Sequence, residues 1–286
     1  MYIYKTKPFK HQQEIFDESW DRIYYALFME MGLGKSKVII DTIGKLKLEG
    51  KIDSALIVAP KGVYDNWAKQ EIPNHLPEEY ERFIVSWKPS KTKSFQDLMN
   101  KLVFEILPGI KFFLVNVEAF STERGKKAAY YFLKKNPDNI MVVDESTTIK
   151  NRQAVRTKNL LQLGQYAKYK RILTGSPVTK SPMDLFSQCK FLDNKALGQE
   201  SYFAFQNRYA VVQRKTFGAR SFNDIVGYRR LDELNEKLLT FSARTLKKDC
   251  LDLPDKVYIK RYVPLTHRQT AVYEEMRRFA LARLAK

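Results

Sequence analysis

Cysteine and histidine are scarce in this chain. Its two cysteines, Cys189 and Cys250, stand far apart in no metal-binding spacing, and only His11, His75 and His267 could add imidazole ligands. That poverty argues against a disulfide framework and against a zinc site. Long apolar runs are missing as well: none approaches the roughly 18 residues of a membrane span. The first ten residues do not form a secretory signal. A soluble, intracellular protein with no membrane partner is therefore expected. Acid is also short, with 32 Asp and Glu against 50 Lys and Arg, a net charge of +18. There is no internal repeat and no low-complexity stretch.

What is present describes a folded protein with a polyanionic partner. Apolar residues make up 44% of the 286 positions and aromatic residues 13%, enough for a real core. The basic excess is uneven: Ser201 to Lys286 holds 18 basic and 9 acidic residues, half of the net charge in under a third of the chain. Such an excess points most often to nucleic acid, with a solvated basic surface as the alternative.

The most informative stretch runs from Ala26 to Ser36. Ala26, Leu27, Phe28 and Met29 read as a buried strand, and Met31-Gly32-Leu33-Gly34-Lys35-Ser36 follows as a loop. Val38, Ile39, Ile40 and Ile43 then open an apolar helix stripe. Strand, glycine loop, Lys-Ser and helix make the phosphate cradle of P-loop proteins. Backbone N–H groups and the helix N-terminus receive phosphates, Lys35 reaches the β/γ-phosphates, and Ser36 offers a hydroxyl to Mg²⁺. Met29 stands where such loops usually begin with Gly, and alone the string also fits an ordinary glycine turn. Upstream, Gln12 enters a helix with Ile15, Phe16, Trp20 and Ile23 on one face. Its amide could read an adenine edge or simply face solvent.

Further strands are expected at Ala55 to Ala59, Phe83 to Trp87, Lys111 to Asn116, Ile140 to Val143 and Arg171 to Leu173. Helical patterns separate them: Val63 to Ile72 (stopped near Pro73), Phe95 to Leu107 and Lys126 to Lys135. Alternation of this kind predicts a parallel α/β sheet with its ligands beyond the carboxyl ends of the strands. The glycine loop, Asp144-Glu145 and Thr174-Gly175-Ser176-Pro177 all fall there. From Pro182 the texture turns helical, aromatic and basic, with Phe186, Phe191, Phe203, Phe205 and Tyr209. Leu251 to Pro254 breaks it. Val257 to Val263 reads as a strand, and Thr266 with Gln269 forms a capping box before a final helix.

Asp144-Glu145 at the end of an apolar strand can supply a Mg²⁺-holding carboxylate beside one that polarises an attacking water, though by itself such a pair also fits a solvated turn. Taken in order, Gln12, the glycine loop, Asp144-Glu145-Ser146-Thr147 and Leu173 to Pro177 resemble the motifs of superfamily-two helicases and translocases. Glu30 to Ser36, Asp144-Glu145 with Ile149-Lys150-Asn151, and Pro60-Lys61 with Asn66-Trp67 are similar to the Swi/Snf-type ATPase branch. Arg244 with Lys247-Lys248-Asp249, then Leu253-Pro254 and the Gln269/Tyr273 step, resembles that branch's passage out of its first lobe. Ser146-Thr147 departs from it: the His that links ATP to the next motif is missing.

The resemblance implies a RecA-like P-loop lobe (1–181) with a mostly parallel sheet flanked by helices. A mainly helical insertion (182–250) and a segment (251–286) leading toward a second RecA-like lobe, with its arginine finger, would follow. It implies ATP and Mg²⁺ as cofactors. Gln12 would contact adenine, Met31 to Ser36 the nucleotide, and Ser36 and Asp144 the metal. Lys35, Asp144 and Glu145 would carry catalysis, with Glu145 as base. Thr174, Gly175, Ser176 and Pro177 would couple the nucleotide to DNA. Lys61 and Asn116, with Lys150 and Asn151, would touch its backbone. The expected activity is ATP-driven translocation on double-stranded DNA, poor in these residues alone. The alternatives are a strand-separating or branch-migrating helicase on DNA or RNA, a non-catalytic nucleic-acid-binding module and, remotely, a small-molecule kinase.

Overall fold

Strands that read as uninterrupted apolar runs must be covered on both faces, and the architecture meets that demand. The computed structural model describes residues 2–217, 220–250 and 259–284. The chain divides into residues 1–251 and 252–286. In the first unit the strands are β1 (Tyr24–Met29), β2 (Ser54–Ala59), β3 (Arg82–Ser86), β4 (Ile110–Asn116), β5 (Asn139–Asp144), β6 (Tyr169–Leu173), β7 (Ala210–Phe217), β8 (Arg220–Tyr228) and β9 (Ser242–Thr245). Seven of them form one sheet in the order β3-β4-β2-β5-β6-β1-β9, with every neighbouring pair parallel. The expected parallel α/β core is therefore present.

Side chains alternate across this sheet with period two. Tyr25, Leu27, Met29, Ile57, Leu114 and Val142 enter one core; Ala26, Phe28, Val58, Val115 and Val143 enter the other. Helices α1 (Lys10–Ser19), α2 (Lys35–Leu48), α3 (Tyr64–Asn66) and α4 (Ile72–His75) cover the first face through Phe16, Ile39, Ile43, Tyr64 and Ile72. The second is covered by α5 (Lys93–Phe104), α6 (Glu123–Lys135), α7 (Val155–Leu163) and α8 (Leu185–Leu192), which contribute Leu102, Phe132, Leu160 and Phe186. Each fully buried side chain of this size contributes about 1.5–3 kcal/mol. Arg171, fully buried in β6, donates to Ser19 O at 2.7 Å and Trp20 O at 3.3 Å, which anchors the end of the helix that carries Gln12.

Several expectations need correction. Pro73 does not stop the helical segment after β2. A π-helical turn, Trp67–Glu71, joins α3 to α4, and Pro73 lies in the first turn of α4. There its missing N–H is tolerated. The 182–250 segment also holds strands besides its helices: between α9 (Tyr202–Tyr209) and α10 (Leu231–Leu239), β7 and β8 pair as an antiparallel hairpin. The β-branched Val211, Val212, Thr216, Ile225 and Val226 favour strand over the basic texture around them. The same segment returns to the main sheet as β9 beside β1, ahead of α11 (Lys247–Cys250). Of its aromatic residues, Phe186, Phe191, Phe205 and Tyr209 are core and Phe203 is exposed.

Residues 252–286 contain α12 (His267–Leu284). Thr266 N–H donates to Gln269 Oε1 at 3.0 Å and Gln269 N–H to Thr266 Oγ1 at 3.3 Å, completing the capping box. No strand forms over 259–263. The Leu251 to Pro254 break and the Val257 end of the expected strand lie outside the described residues.

Candidate nucleotide site at the carboxyl end of the sheet

Because the strands run parallel, the residues just beyond β1, β5, β6 and β9 emerge on one edge. β6 lies between β5 and β1, so the Thr174 turn separates the glycine loop from Asp144-Glu145. In the loop, Gly32 and Gly34 adopt φ of +83° and +79°, the left-handed region open to glycine. Gly34 also has no room for a Cβ, which would stand 2.2 Å from Gln12 Nε2. Gln12 is buried; its Oε1 accepts from Phe9 N–H at 3.0 Å and its Nε2 donates to Leu33 O at 3.1 Å. Its amide thus clamps the glycine loop, and one further N–H and one lone pair remain for a ligand. Leu33 is buried and Met31 is exposed.

Lys35 Nζ donates to Met29 O at 3.0 Å and Glu30 O at 3.4 Å, holding the loop closed from within. Burial pushes this ammonium below the usual lysine range, and Glu145 and Asp144 pull it back up. Asp144 is buried at the tip of β5. Its Oδ2 accepts from Trp67 Nε1 at 3.0 Å and its Oδ1 from Glu145 N–H at 2.9 Å. Burial pushes its carboxyl up to about 6, against the lowering effect of the Trp67 bond. Glu145 adopts φ of +48°, a left-handed conformation rarely taken by a residue with a side chain. Thr174 Oγ1 donates to Glu145 Oε2 at 3.4 Å and accepts from Ser176 N–H at 3.2 Å, so the turn after β6 faces the acidic pair.

Side chains unassigned by the sequence reading complete the edge. Trp67 and Glu71 bracket the π-turn. Glu71 accepts from Asn66 Nδ2 at 3.1 Å, and burial raises its carboxyl against the lowering effects of Ser36 and Asn66. Arg244 donates from Nη1 to Gly175 O at 2.8 Å and Phe28 O at 3.2 Å. Lys247 N–H donates to Glu30 Oε2 at 2.6 Å, and its Nζ comes within 3.7 Å of where a Cβ on Gly32 would lie. Gln188, fully buried on α8, accepts from Ser146 Oγ at 2.7 Å. One signal could have exposed it: it is the single amide in the otherwise largely apolar run of α8, Leu185–Leu192.

The residues expected to touch nucleic acid divide. Lys61 is exposed beyond β2, and Asn116 ends the adjacent β4, opposite Ala59. Asn116 Oδ1 accepts from Ala119 N–H at 2.9 Å, however, capping a 3₁₀ turn. Lys150 bonds Thr179 Oγ1 and stands 3.7 Å from Asp184 Oδ2, while Asn151 Oδ1 accepts from Gln153 N–H at 3.0 Å. Each has a local partner besides any ligand.

A sheet edge with a glycine-loop helix N-terminus, a lysine and a carboxylate pair fits a phosphate chain and a hard cation. Mg²⁺ needs only one or two carboxylates beside phosphate oxygens. Among the described residues no larger His, Cys, Asp or Glu group could hold a metal. Fold and site together have the form of a phosphate-loop protein with a parallel RecA-like sheet.

The comparisons narrow this class. Residues 25–286 match the SNF2-related domain, and the chain belongs to that family. It is 29% identical over 246 residues to the DNA annealing helicase and endonuclease ZRANB3 of Mus musculus, covering 86% of this chain and 21% of that protein. It is 28% identical over 252 residues to the chromatin-remodeling ATPase INO80 of Debaryomyces hansenii, covering 86% of this chain and 17% of that protein. The Sulfolobus solfataricus SWI2/SNF2 ATPase core in complex with dsDNA shares the fold at a TM-score of 0.64 and 23% identity, over 96% of this chain and 52% of that one. The chain thus spans about a fifth of these curated relatives and about half of the solved core.

Proposed function

We propose that this chain is the nucleotide-binding motor lobe of a DNA-dependent ATPase that translocates on double-stranded DNA. The convergence of the glycine loop, Asp144-Glu145 and the Thr174 turn on one sheet edge carries the reading, and membership of the SNF2-related family supports it. The loop N–H groups and the N-terminus of α2 hold the phosphate chain. On binding, Lys35 exchanges the carbonyls of Met29 and Glu30 for phosphate oxygens. Ser36 and Asp144 would hold Mg²⁺, which would supply charge neutralisation at the phosphates. Glu145 orients and deprotonates the attacking water. Gln12 keeps the loop in register and offers its spare N–H and lone pair to adenine. Thr174 and its turn pass the state of Glu145 toward the DNA track, which Lys61 and Asn116 begin, with Lys150 and Asn151 as further contacts.

Phosphoryl transfer in related systems gains about 10³–10⁵ in rate from an arginine finger. The resemblance assigns that finger to a second RecA-like lobe, so residues 1–286 alone should turn ATP over slowly. Triplex displacement from a blunt duplex by the full-length protein tests translocation. Displacement that needs ATP and fails in Glu145→Gln is expected. Unwinding of forked duplexes without triplex displacement would favour the second reading, a strand-separating or annealing helicase, toward which the name of the ZRANB3 relative points.

A further inference from the structure

Two of the site's parts, Glu145 and the Thr174 to Pro177 turn, are joined by more than the long Thr174–Glu145 contact. Ser146 directly follows Glu145 and is fully buried. Its hydroxyl donates to Gln188 Oε1 at 2.7 Å. Gln188 Nε2 then donates to Pro177 O at 2.8 Å and to Asp184 O, just before the start of α8, at 2.8 Å. The amide spends both of its N–H groups and its oxygen inside the protein, with no exposed surface. One hydrogen-bonded string thus runs from the residue after the acidic pair to the last residue of the turn after β6.

Its position matters because Glu145 holds a left-handed backbone conformation that is unfavourable for a residue with a side chain. Such a conformation persists only where its surroundings over-determine it. Asp144 Oδ1 fixes the Glu145 N–H, Thr148 N–H fixes the Glu145 carbonyl at 2.9 Å, and Ser146 with Gln188 fixes the next residue. Ser146-Thr147 is also where the sequence departs from the pattern it resembles, by lacking the linking His. We infer that Gln188 is a positioning residue which, with Ser146, ties Glu145 to the Thr174–Pro177 turn and does the linking work of that His. A shift of the turn pulls on Pro177 O, and a buried amide with no solvent to substitute for its partners transmits the displacement to the Glu145 backbone. The inference rests on the assignment of Glu145 as the base.

The test is steady-state ATP hydrolysis by the full-length protein with saturating blunt duplex, comparing Gln188→Leu and Ser146→Ala with wild type. Both variants should bind a slowly hydrolysed ATP analogue within about twofold of wild type and keep the KM for ATP. Their duplex-stimulated kcat should fall about tenfold or more, and the double variant should be no worse than Gln188→Leu, the signature of one shared interaction. A kcat within twofold of wild type in both, with only the melting temperature lowered, would overturn the inference, because the string would then only support the fold. Should Gln188→Leu fail to fold, Ser146→Ala removes one oxygen, leaves the Gln188 donors in place and decides the matter. Failure of the underlying reading looks different: the wild type would show no duplex-stimulated turnover, or Glu145→Gln would retain it.

Discussion

Replacing Asp144 with Asn should change the stability of the metal-free protein in a pH-dependent way. Burial raises the Asp144 carboxyl from 3.8 to about 6. A carboxyl raised in the folded state favours folding below its unfolded pKa, and that contribution is lost as pH rises through the folded one. Above about pH 6 the charged form costs the fold about 3 kcal/mol, at about 1.4 kcal/mol for each tenfold change in proton affinity. At pH 4.5 most of that cost has gone, leaving about 1 kcal/mol. Asn carries no charge but has one oxygen where Asp144 uses two, for Trp67 and for the Glu145 N–H, a fixed penalty of about 1 kcal/mol. Urea unfolding in EDTA at intervals from pH 4.5 to 8 measures the difference between the proteins. The variant should gain about 2 kcal/mol on wild type between pH 4.5 and 7, and nothing further above. A difference that stays flat over the whole range would refute the reasoning.

Three other substitutions probe the same edge. Gly34→Ala places a Cβ on a left-handed backbone and against the Gln12 amide; it should cost about 1–3 kcal/mol in urea unfolding and abolish binding of a fluorescent ATP analogue. Trp67→Phe keeps most of the buried ring but removes the donor to Asp144 Oδ2. That should cost about 1–3 kcal/mol and move the pH transition of the Asp144 carboxyl upward. Lys247→Ala removes the ammonium beside Gly32 and should weaken Mg²⁺-nucleotide binding about three- to tenfold by titration. The neighbouring exposed Lys248→Ala should leave it unchanged.

How far the molecule could be read from its residues depended on how each segment is buried. Ala55 to Ala59, Lys111 to Asn116 and Ile140 to Val143 were legible because strands covered on both faces must be apolar throughout. β9 was not: four residues at a sheet edge, two of them Ser242 and Arg244, carry no such run. The β7–β8 hairpin was hidden behind its basic residues. At the site, Lys35, Ser36, Asp144 and Glu145 follow one another at spacings with few other meanings, and the fold brings their strand ends together. The supporting contacts come from distant sequence: Trp67 meets Asp144, Arg244 meets Gly175, and Gln188 meets Ser146. No local periodicity encodes a partner so far away along the chain. Asn116 and Asn151 show the converse, since short amide side chains next to turns often cap the turn.

ATP hydrolysis by the full-length protein, measured with and without blunt duplex DNA, tests the central claim most directly. The account predicts Mg²⁺-dependent turnover that rises with duplex and vanishes in both Lys35→Ala and Glu145→Gln. Turnover indifferent to duplex, or surviving either substitution, would contradict it.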